Sequence, residues 1–414
     1  MNLKLKIFLS CIISAFMLIG CNENNTNAEA STESSPVKQI AKIYADDADS
    51  SDYFGNSVSM DGDYVIIGAQ YHHSTSYGSG SAYLFKKESN NTLTQLIEIT
   101  PKHPESLEYT FGYKVSNSGD YVAIAHKSGH SYLYKINTDT NISLVGKMSV
   151  EEYEYGIHTS SISMDGDYIV IADERDSSAK TKAGAAFVFK RYSDTNVSQI
   201  AKITASDAEY FDNIGNSVSI SGDYIVIGAQ KDDTSSSYTG SAYVFKINSD
   251  TNISQIAKLQ ALDTESFGYF GSSVSIDGKY IVIGAKKMNS YNGNAYVFKI
   301  NSDTNISQIA KLQPTNTEEY NGFGTSVSID KNLILIGTDY DYEAGAAYLF
   351  QINNDTDISQ VARVQPEEIQ KYDAFGASVA ISNNYFVVSA KNSNYVTSNS
   401  GTAYIYEYDK NQTQ

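Results

Sequence analysis

The chain has 414 residues, with 30 basic and 48 acidic side chains and a formal net charge of -18 at pH 7. This acidic balance excludes a nucleic-acid-binding protein, because such proteins need a basic surface to displace counterions from phosphates. Hydrophobic residues make up 41% of the chain and charged residues 19%, so a core can form and general disorder is excluded. The 33 tyrosines, only 5 prolines and no tryptophan favour a β-rich fold over a helical one.

The first 20 residues have the pattern of a secretory signal. Two lysines precede an apolar stretch from Ile7 to Gly20, which is short for a transmembrane helix. The stretch ends in Leu18-Ile19-Gly20-Cys21, which resembles the lipobox of bacterial lipoproteins, whose cysteine is lipidated and becomes the mature N-terminus. We predict a lipoprotein signal peptide at 1–20 and lipidation of Cys21; the alternative is a plain signal peptide with an incidental cysteine.

Residues 21–36 are predicted to form a flexible tether, because Asn22 to Pro36 are mostly Asn, Glu, Thr and Ser. As a coil this segment spans on the order of 20 Å. Several acyl chains on Cys21 would hold the protein stably on a membrane of the bacterial cell envelope. Asparagine rather than aspartate follows the cysteine, which favours the outer membrane or the cell surface.

From residue 37 onward the chain repeats. Each unit carries four strand-like runs, such as Ser217–Ile220, Tyr224–Ala229, Ala242–Lys246 and Ser254–Leu259, joined in part by short turns rich in Gly, Asp and Asn. An aromatic or apolar residue followed by glycine marks each unit at intervals of 44 to 59 residues, which is the range of propeller blades. The seven pairs are Phe54-Gly55, Phe111-Gly112, Tyr155-Gly156, Ile214-Gly215, Phe270-Gly271, Phe323-Gly324 and Phe375-Gly376.

We therefore predict an all-β fold, a seven-bladed β-propeller of four-stranded antiparallel blades over residues 37–410, followed by a tail at 411–414. The two ends of the repeats predict how the ring closes. Ile40-Ala41-Lys42-Ile43 is a fourth-type run that stands before the first unit, and the last unit ends at Tyr404-Ile405-Tyr406 without one. We expect the N-terminal strand to pair with the last blade, because this leaves no open sheet edge.

Three recurring motifs resemble FG-GAP repeats, the unit of the integrin α-subunit propeller and of many bacterial surface proteins. They are the Phe-Gly pair, Gly228-Ala229 after the second run, and Gly-x-Ala-Tyr-x-Phe at Gly240 to Phe245 in the third. The resemblance covers about residues 37–408 and implies a surface binding or adhesion module. Units two, three and six depart from the Gly-Ala pair, with Ala125-His126, Ala172-Asp173 and Gly337-Thr338. We interpret this glycine as a point of close approach and expect alanine to be tolerated there.

Integrin-type repeats often bind Ca²⁺ in an Asp-x-Asp-x-Asp-Gly loop between the first two strands. The corresponding turns here, such as Asp277-Gly278-Lys279, are too short to supply six to eight oxygen ligands, so we predict no calcium site. We interpret Asn248–Asn252 as a hairpin turn rather than a weak metal site. His72 and His73 lie in a long loop and could bind a metal, but we favour two solvated side chains. We expect no metal, no cofactor and no catalytic residue, because no nucleophile elbow or phosphate loop is present.

In a four-stranded meander, the connections from strand two to three and from strand four to the next blade emerge on one face. Here these connections are long, variable and acidic, and several carry tyrosine, which is a good contact residue. We predict that this face recruits a basic or cationic protein or carbohydrate; the alternative is that its acids only maintain solubility. The predicted residues are Asp46, Asp47, Asp49, Asp52, Asp207, Glu209, Asp263, Glu265, Glu318, Glu319 and Tyr320.

The sequence thus predicts a non-enzymatic, lipid-anchored module for binding or adhesion. Two alternatives stay open. One is an exported hydrolase or lyase with a site at the mouth of the central channel, which requires histidines or carboxylates that converge there from two or more blades. The other is a purely structural envelope protein.

Overall fold

The computed structural model describes residues 35–73, 78–101, 110–150, 152–153, 156–233, 237–315, 322–339 and 344–412. Over these residues it contains 28 β-strands in seven four-stranded antiparallel sheets, together with a short 3₁₀ helix at Lys410–Gln412. The described part of the chain has no helix that is long and apolar enough to cross a membrane. The predicted seven-bladed propeller is confirmed, whereas the predicted signal peptide, Cys21 and most of the tether lie outside the described residues.

The strands follow chain order in every blade. Blade 1 has β2 (Phe54–Asp61), β3 (Tyr64–Ala69), β4 (Ser81–Lys87) and β5 (Leu93–Ile99), and blade 2 has β6 (Lys114–Ser118), β7 (Tyr121–Ala125), β8 (Ser131–Thr138) and β9 (Asn141–Met148). Blade 3 has β10 (Ser161–Asp165), β11 (Tyr168–Asp173), β12 (Ala185–Ser193) and β13 (Asn196–Ile203). Blade 4 has β14 (Ile214–Ser221), β15 (Tyr224–Ala229), β16 (Ser241–Ser249) and β17 (Asn252–Leu259).

Blade 5 has β18 (Phe270–Asp277), β19 (Tyr280–Ala285), β20 (Asn294–Ser302) and β21 (Asn305–Leu312), and blade 6 has β22 (Ser326–Asp330), β23 (Leu333–Thr338), β24 (Ala346–Asn354) and β25 (Asp357–Val364). Blade 7 has β26 (Phe375–Ser382), β27 (Tyr385–Ala390) and β28 (Thr402–Tyr408), and β1 (Val37–Ile43) supplies its fourth strand. The first strands of neighbouring blades contact one another around the whole ring, so they line the central channel.

The second strand of each blade is apolar on both faces because a neighbouring blade lies on each side. In β15, Ile225 and Ile227 pack in the core shared with blade 3, and Val226 between them packs in the core shared with blade 5. All three side chains are fully buried. Burial of a side chain of this size contributes about 1.5–3 kcal/mol, so the alternating apolar pattern is what holds adjacent blades together.

The first residue of the Phe-Gly pair, or Ile214 in its place, joins six of the seven blades to the blade before it in the described residues. Phe270 forms an isolated parallel bridge with Gly240 of blade 4, and Gly271 has a φ of 87°, which favours glycine. A Cβ on Gly228 would lie 2.0 Å from the Gly271 carbonyl oxygen. The expectation that alanine is tolerated at this position is therefore wrong for Gly228. It holds for blade 3, where the chain itself carries Ala172 beside Gly215.

The Ser-x-Ser pattern of the first strands also joins neighbouring blades, which sequence reasoning did not predict. Ser217 Oγ accepts a hydrogen bond from the Val274 N–H at 3.0 Å, and Ser219 Oγ accepts one from the Ile276 N–H at 3.1 Å. Equivalent bonds recur around the channel. Each inner strand pairs with another strand of its blade on one side only, so the backbone N–H groups on its other side need acceptors, and these serines supply them.

The predicted closure is confirmed. β1 pairs antiparallel with β28, from Val37 opposite Tyr408 to Ile43 opposite Ala403. A second set of contacts closes the ring at its centre, where Phe54 bridges to Gly401 and Ser378 Oγ accepts a hydrogen bond from the Val58 N–H at 3.1 Å. Blades 7 and 1 are thus joined in the same way as the other neighbouring blades.

Candidate functional site

Ten-residue loops lead into four of the blades, and we call them inter-blade loops; their ranges are 44–53, 204–213, 260–269 and 365–374. Three of them are built around a buried aspartate that accepts a hydrogen bond from the backbone N–H three residues earlier. Asp52 Oδ2 accepts from Asp49 at 2.6 Å, and Asp212 Oδ2 accepts from Glu209 at 2.6 Å. Asp373 Oδ2 accepts from the Gln370 N–H at 2.8 Å. The buried carboxylate therefore fixes the loop from within by satisfying a backbone donor.

The residues on each side of this central position have left-handed backbone. Phe211, Phe267 and Tyr372 occupy the equivalent position before it, with φ of 69°, 62° and 74°. Their side chains are 50%, 49% and 53% exposed. Bulky residues rarely adopt this conformation, which costs of order 1–3 kcal/mol. The loops thus hold aromatic side chains in solvent at a repeated position. Tyr210 in the same loop as Phe211, and Tyr395 in the loop between β27 and β28, are two further exposed rings.

The predicted acidic residues do not share one environment. Asp46 and Asp49 are exposed, whereas Asp52 is buried beneath the face. Asp207 and Asp263 are exposed but each lies 2.6 Å from a fourth-strand lysine, Lys258 and Lys311 respectively. Three further predicted residues keep exposed positions with a partner. Asp47 accepts a hydrogen bond from the Tyr83 hydroxyl, Glu209 pairs with Lys180, and Glu265 accepts one from the Asn289 N–H. Glu318, Glu319 and Tyr320 lie outside the described residues.

The fourth-strand lysines thus have a role that the sequence did not predict. Lys258 lies 2.6 Å from Asp207 in the inter-blade loop and 2.8 Å from Asp232 in the loop between strands two and three. Lys202 joins the equivalent loops of blade 3 through Glu152 and Asp176. These lysines neutralise part of the face and tie its two kinds of loop together. The signal in the sequence is the lysine that repeats in Gln-x-Ala-Lys, as at Lys202 and Lys258.

Burial shifts the acidity of the central aspartates. Asp212 is 3% exposed, and burial together with the nearby Asp232 raises its pKa to about 6 against the opposing hydrogen bond from the Glu209 backbone. Burial also raises the pKa of Asp373. These groups therefore act as structural acceptors in the loops rather than as exposed charges.

The face that carries the inter-blade loops also carries basic side chains around the mouth of the central channel. The second strands end at this mouth of the channel. Lys114 lies near it, at the start of β6, the inner strand of blade 2. Burial, together with the nearby Lys391 of blade 7 and Lys286 of blade 5, lowers the pKa of Lys114 to about 8. Lysines from three blades can interact in this way only across the channel. The seven equivalent residues directly follow the second strand except in blade 2, where His126 intervenes; they are Gln70, Lys127, Glu174, Gln230, Lys286, Asp339 and Lys391.

Carboxylates from four blades converge at the opposite mouth. They line a cavity of about 210 Å³ and are Asp61, Asp165, Asp277 and Asp330. The hydrolase alternative requires such a convergence. However, each carboxylate already accepts a hydrogen bond from the turn of the next blade, as Asp61 Oδ2 does from the Gly119 N–H at 2.7 Å and Asp165 Oδ2 from the Gly222 N–H at 2.6 Å. This ring of bonds accounts for the aspartates as links between blades.

One group of the described residues has the donor atoms and spacing to hold a metal ion. Asp47, His72 and Glu98 of blade 1 bring one ligand atom each to within 4.8 Å of the others. Of the two histidines predicted to be solvated, His72 is 5% exposed, so the prediction is wrong for this residue.

The geometry defines a β-propeller whose blades are joined by Phe-Gly pairs. A family model for the FG-GAP repeat matches residues 37–85, 197–245, 253–298, 306–350 and 358–406, which together exceed half of the chain. The chain therefore belongs to the FG-GAP repeat family. The matches leave out residues 86–196, where the Gly-Ala pair is replaced at Ala125 and Ala172.

The search of solved structures supports the fold alone. A chain in the crystal structure of a mitotic checkpoint complex superposes with a TM-score of 0.56 at 10% sequence identity, over 95% of this chain and 98% of that one. No curated protein matches the sequence.

Proposed function

We propose that this protein is a binding module anchored to the cell envelope, which presents the inter-blade loops of its propeller to a basic protein partner. The observation that carries the proposal is the set of exposed aromatic side chains on left-handed backbone, Phe211, Phe267 and Tyr372. Membership of the FG-GAP family, a repeat typical of binding and adhesion modules, supports the same class of function. The anchor rests on the signal and lipobox patterns at 1–21.

The conformation of these aromatic residues points to recognition rather than to stability. Each ring leaves about half of its surface in water, so its burial repays little of the cost of the backbone conformation. Three separate loops repeat the arrangement. Aromatic side chains give large contact areas at a low entropy cost, which is why they dominate binding surfaces.

Charge selects a basic partner. Asp46 and Asp49 are exposed in an inter-blade loop on the same face, and the whole chain carries a net charge of -18. The rings themselves already accept cations, since Lys371 Nζ lies 5.2 Å from the centre of the Tyr372 ring and Lys182 Nζ 6.0 Å from that of Phe211. Arginine or lysine side chains of a partner can make the same contact. Opposite charge would also speed the encounter at low salt.

The test replaces the three rings by serine, the residue that blade 1 carries at the equivalent Ser51. We expect F211S/F267S/Y372S to lose at least tenfold in affinity for hits from an array of envelope and extracellular proteins, with an unchanged melting temperature. The matched control is Y192S, which removes a tyrosine that is 52% exposed at the strand three–four end of blade 3, on the opposite face. Unchanged binding by the triple variant, or binding that salt does not weaken, overturns the proposal; hits confined to a parallel glycan array point to a carbohydrate partner instead.

A further inference from the structure

The side chain of His72 lies among three carboxylates in blade 1. It is 5% exposed, and its Nδ1 is 2.9 Å from Asp52 Oδ2. Its Nε2 faces Asp47 Oδ2 at 3.4 Å and Glu98 Oε1 at 3.6 Å. Asp52 is 1% exposed, so the hydrogen bond from Nδ1 to a buried carboxylate fixes the orientation of the ring. The lone pair of Nε2 is then directed at the space between Asp47 and Glu98.

The distances decide what occupies that space. A charge-assisted hydrogen bond between imidazolium and carboxylate spans about 2.7–2.9 Å, so both contacts of Nε2 are too long for one. Ligand atoms bound to tetrahedral zinc at about 2.0–2.2 Å are separated from one another by about 3.3–3.6 Å. The observed 3.4 and 3.6 Å match this second spacing. Within the described residues, Nε2 makes no hydrogen bond.

The two carboxylates are also held in place by partners outside the space. The Tyr83 hydroxyl donates to Asp47 Oδ1 at 2.9 Å, and the Ser81 hydroxyl donates to Glu98 Oε1 at 2.6 Å. Together with Asp52 behind His72, these are the outer contacts that orient metal ligands in proteins. The site is therefore organised by the fold before any ion binds.

Blade 4 has a lysine ammonium at the place where blade 1 has the Glu98 carboxylate. Glu98 pairs with Tyr83 in the register in which Lys258 pairs with Tyr243, and His72 occupies the loop position of Asp232. In blade 4 the Lys258 ammonium lies within 2.8 Å of two carboxylates. In blade 1 the basic and acidic positions are exchanged, so among the described residues no lysine ammonium lies between Asp47 and Glu98. A cation at this place would restore the balance that the other blade has.

We propose that Asp47, His72 and Glu98 of blade 1 form a zinc site, with Asp52 as the residue that orients His72. One imidazole nitrogen and two carboxylate oxygens suit zinc, and three protein ligands leave a fourth position for water. This position faces solvent, because the side chain of Asp47 is 47% exposed. The ion would fasten the inter-blade loop and the loop between strands two and three to the outer strand β5. The site lies on the face opposite the turns in which integrin-type repeats bind calcium.

The experiment measures zinc binding to the tag-free full chain after removal of metal by a chelator. We expect calorimetry with ZnCl₂ to give one equivalent, and Co²⁺ to give the visible absorption of a four-coordinate N/O site. H72D/E98K installs the Asp–Lys pair of blade 4, so it should fold and lose at least 100-fold in zinc affinity. D52N should keep the stoichiometry but weaken binding about 10–100-fold. The control H73N should bind as the wild type does.

A gain-of-function variant guards against a site lost through misfolding. D232H/K258E transplants the blade 1 residues into blade 4, where Asp207, Asp212 and Tyr243 already occupy the positions of Asp47, Asp52 and Tyr83. We expect this variant to bind a second equivalent of zinc. Absence of zinc binding by the wild type, or equal binding by H72D/E98K, overturns the proposal and assigns His72 the role of a protonated counterion.

Discussion

At the scale of single residues, the closest contacts between blades involve backbone that only glycine can provide. A Cβ on Gly228 would lie 2.0 Å from the Gly271 carbonyl oxygen, and Gly284 faces Gly324 in the same way at 2.1 Å. A real Cβ does not approach an oxygen so closely, so the two blades would have to separate. The cost falls on the apolar cores on both sides of the second strand.

We therefore expect Gly228→Ala to lower the free energy of unfolding by on the order of 2–3 kcal/mol, the usual cost of overpacking a tight core. Urea denaturation followed by circular dichroism measures the change. Ala172→Gly is the matched control at the same strand position of blade 3, and we expect it to cost about 1 kcal/mol or less. An equal effect of the two substitutions would show that the close approach to Gly271 is not what requires glycine.

At the scale of elements, the inter-blade loops separate what sequence could predict from what it could not. The number of strands and the lengths of the loops predicted that these loops share one face. The exposure of Phe211 was not predictable in the same way, because it depends on a left-handed φ that no neighbouring sequence pattern indicates. The pairing of Lys258 with Asp207 joins residues 51 positions apart, so no local pattern indicates it. The exchange of Lys258 for Glu98 was visible in an alignment of the units, where Gln-Ile-Ala-Lys becomes Gln-Leu-Ile-Glu.

The buried aspartate of these loops makes stability depend on pH in a defined direction. The pKa of Asp212 is about 6 in the folded protein against an ordinary value of 3.8, so the folded state binds more protons between these values. The stabilising contribution of protonated Asp212 is complete below about pH 4 and is lost as the pH rises through 6. At pH 7 the loop therefore contains a buried charge that opposes folding.

We expect Asp212→Asn to stabilise the protein by about 1–3 kcal/mol at pH 7, because the amide oxygen still accepts the hydrogen bond from Glu209 but carries no charge. The difference from wild type should vanish near pH 4. Melting temperatures of both proteins at pH 4, 5.5 and 7 test this, with Asp46→Asn as a control at an exposed aspartate of an equivalent loop. A difference that does not change with pH would contradict the argument.

At the scale of the whole molecule, repetition made the ring predictable. Seven pairs of an aromatic or apolar residue with glycine predicted the number of blades, and the additional fourth-type run before the first unit predicted the closure. Blades 2 and 3 lie mostly outside the residues matched by the family model, and they carry Ala125 and Ala172 in place of glycine. The electrostatic surface was the least predictable property, because pairing across blades decides which of the many charges remain exposed.

Closure by β1 is a claim about the whole ring, since β28 has a free edge without it. Lys38 lies opposite Glu407 in the register of these two strands, and directly opposed residues of antiparallel strands have Cα atoms about 4.5–5.5 Å apart, which suits a disulfide. We expect the K38C/E407C variant to form an intramolecular disulfide under oxidising conditions and to melt at a higher temperature than its reduced form. Cross-linking that closes so long a loop restricts the unfolded chain strongly, by up to several kcal/mol.

Removal of residues 1–43 tests the same closure from the other direction. The truncated chain keeps the inner contacts, because Phe54 still reaches Gly401 and Val58 still reaches Ser378, but it loses the buried side chains of Val37 and Ile43 and exposes the edge of β28. We expect a lower melting temperature and association through that edge, visible in light scattering. If truncation left both properties unchanged and K38C/E407C stayed reduced, the inner contacts alone would be closing the ring, and the outer strand would be an accessory to it.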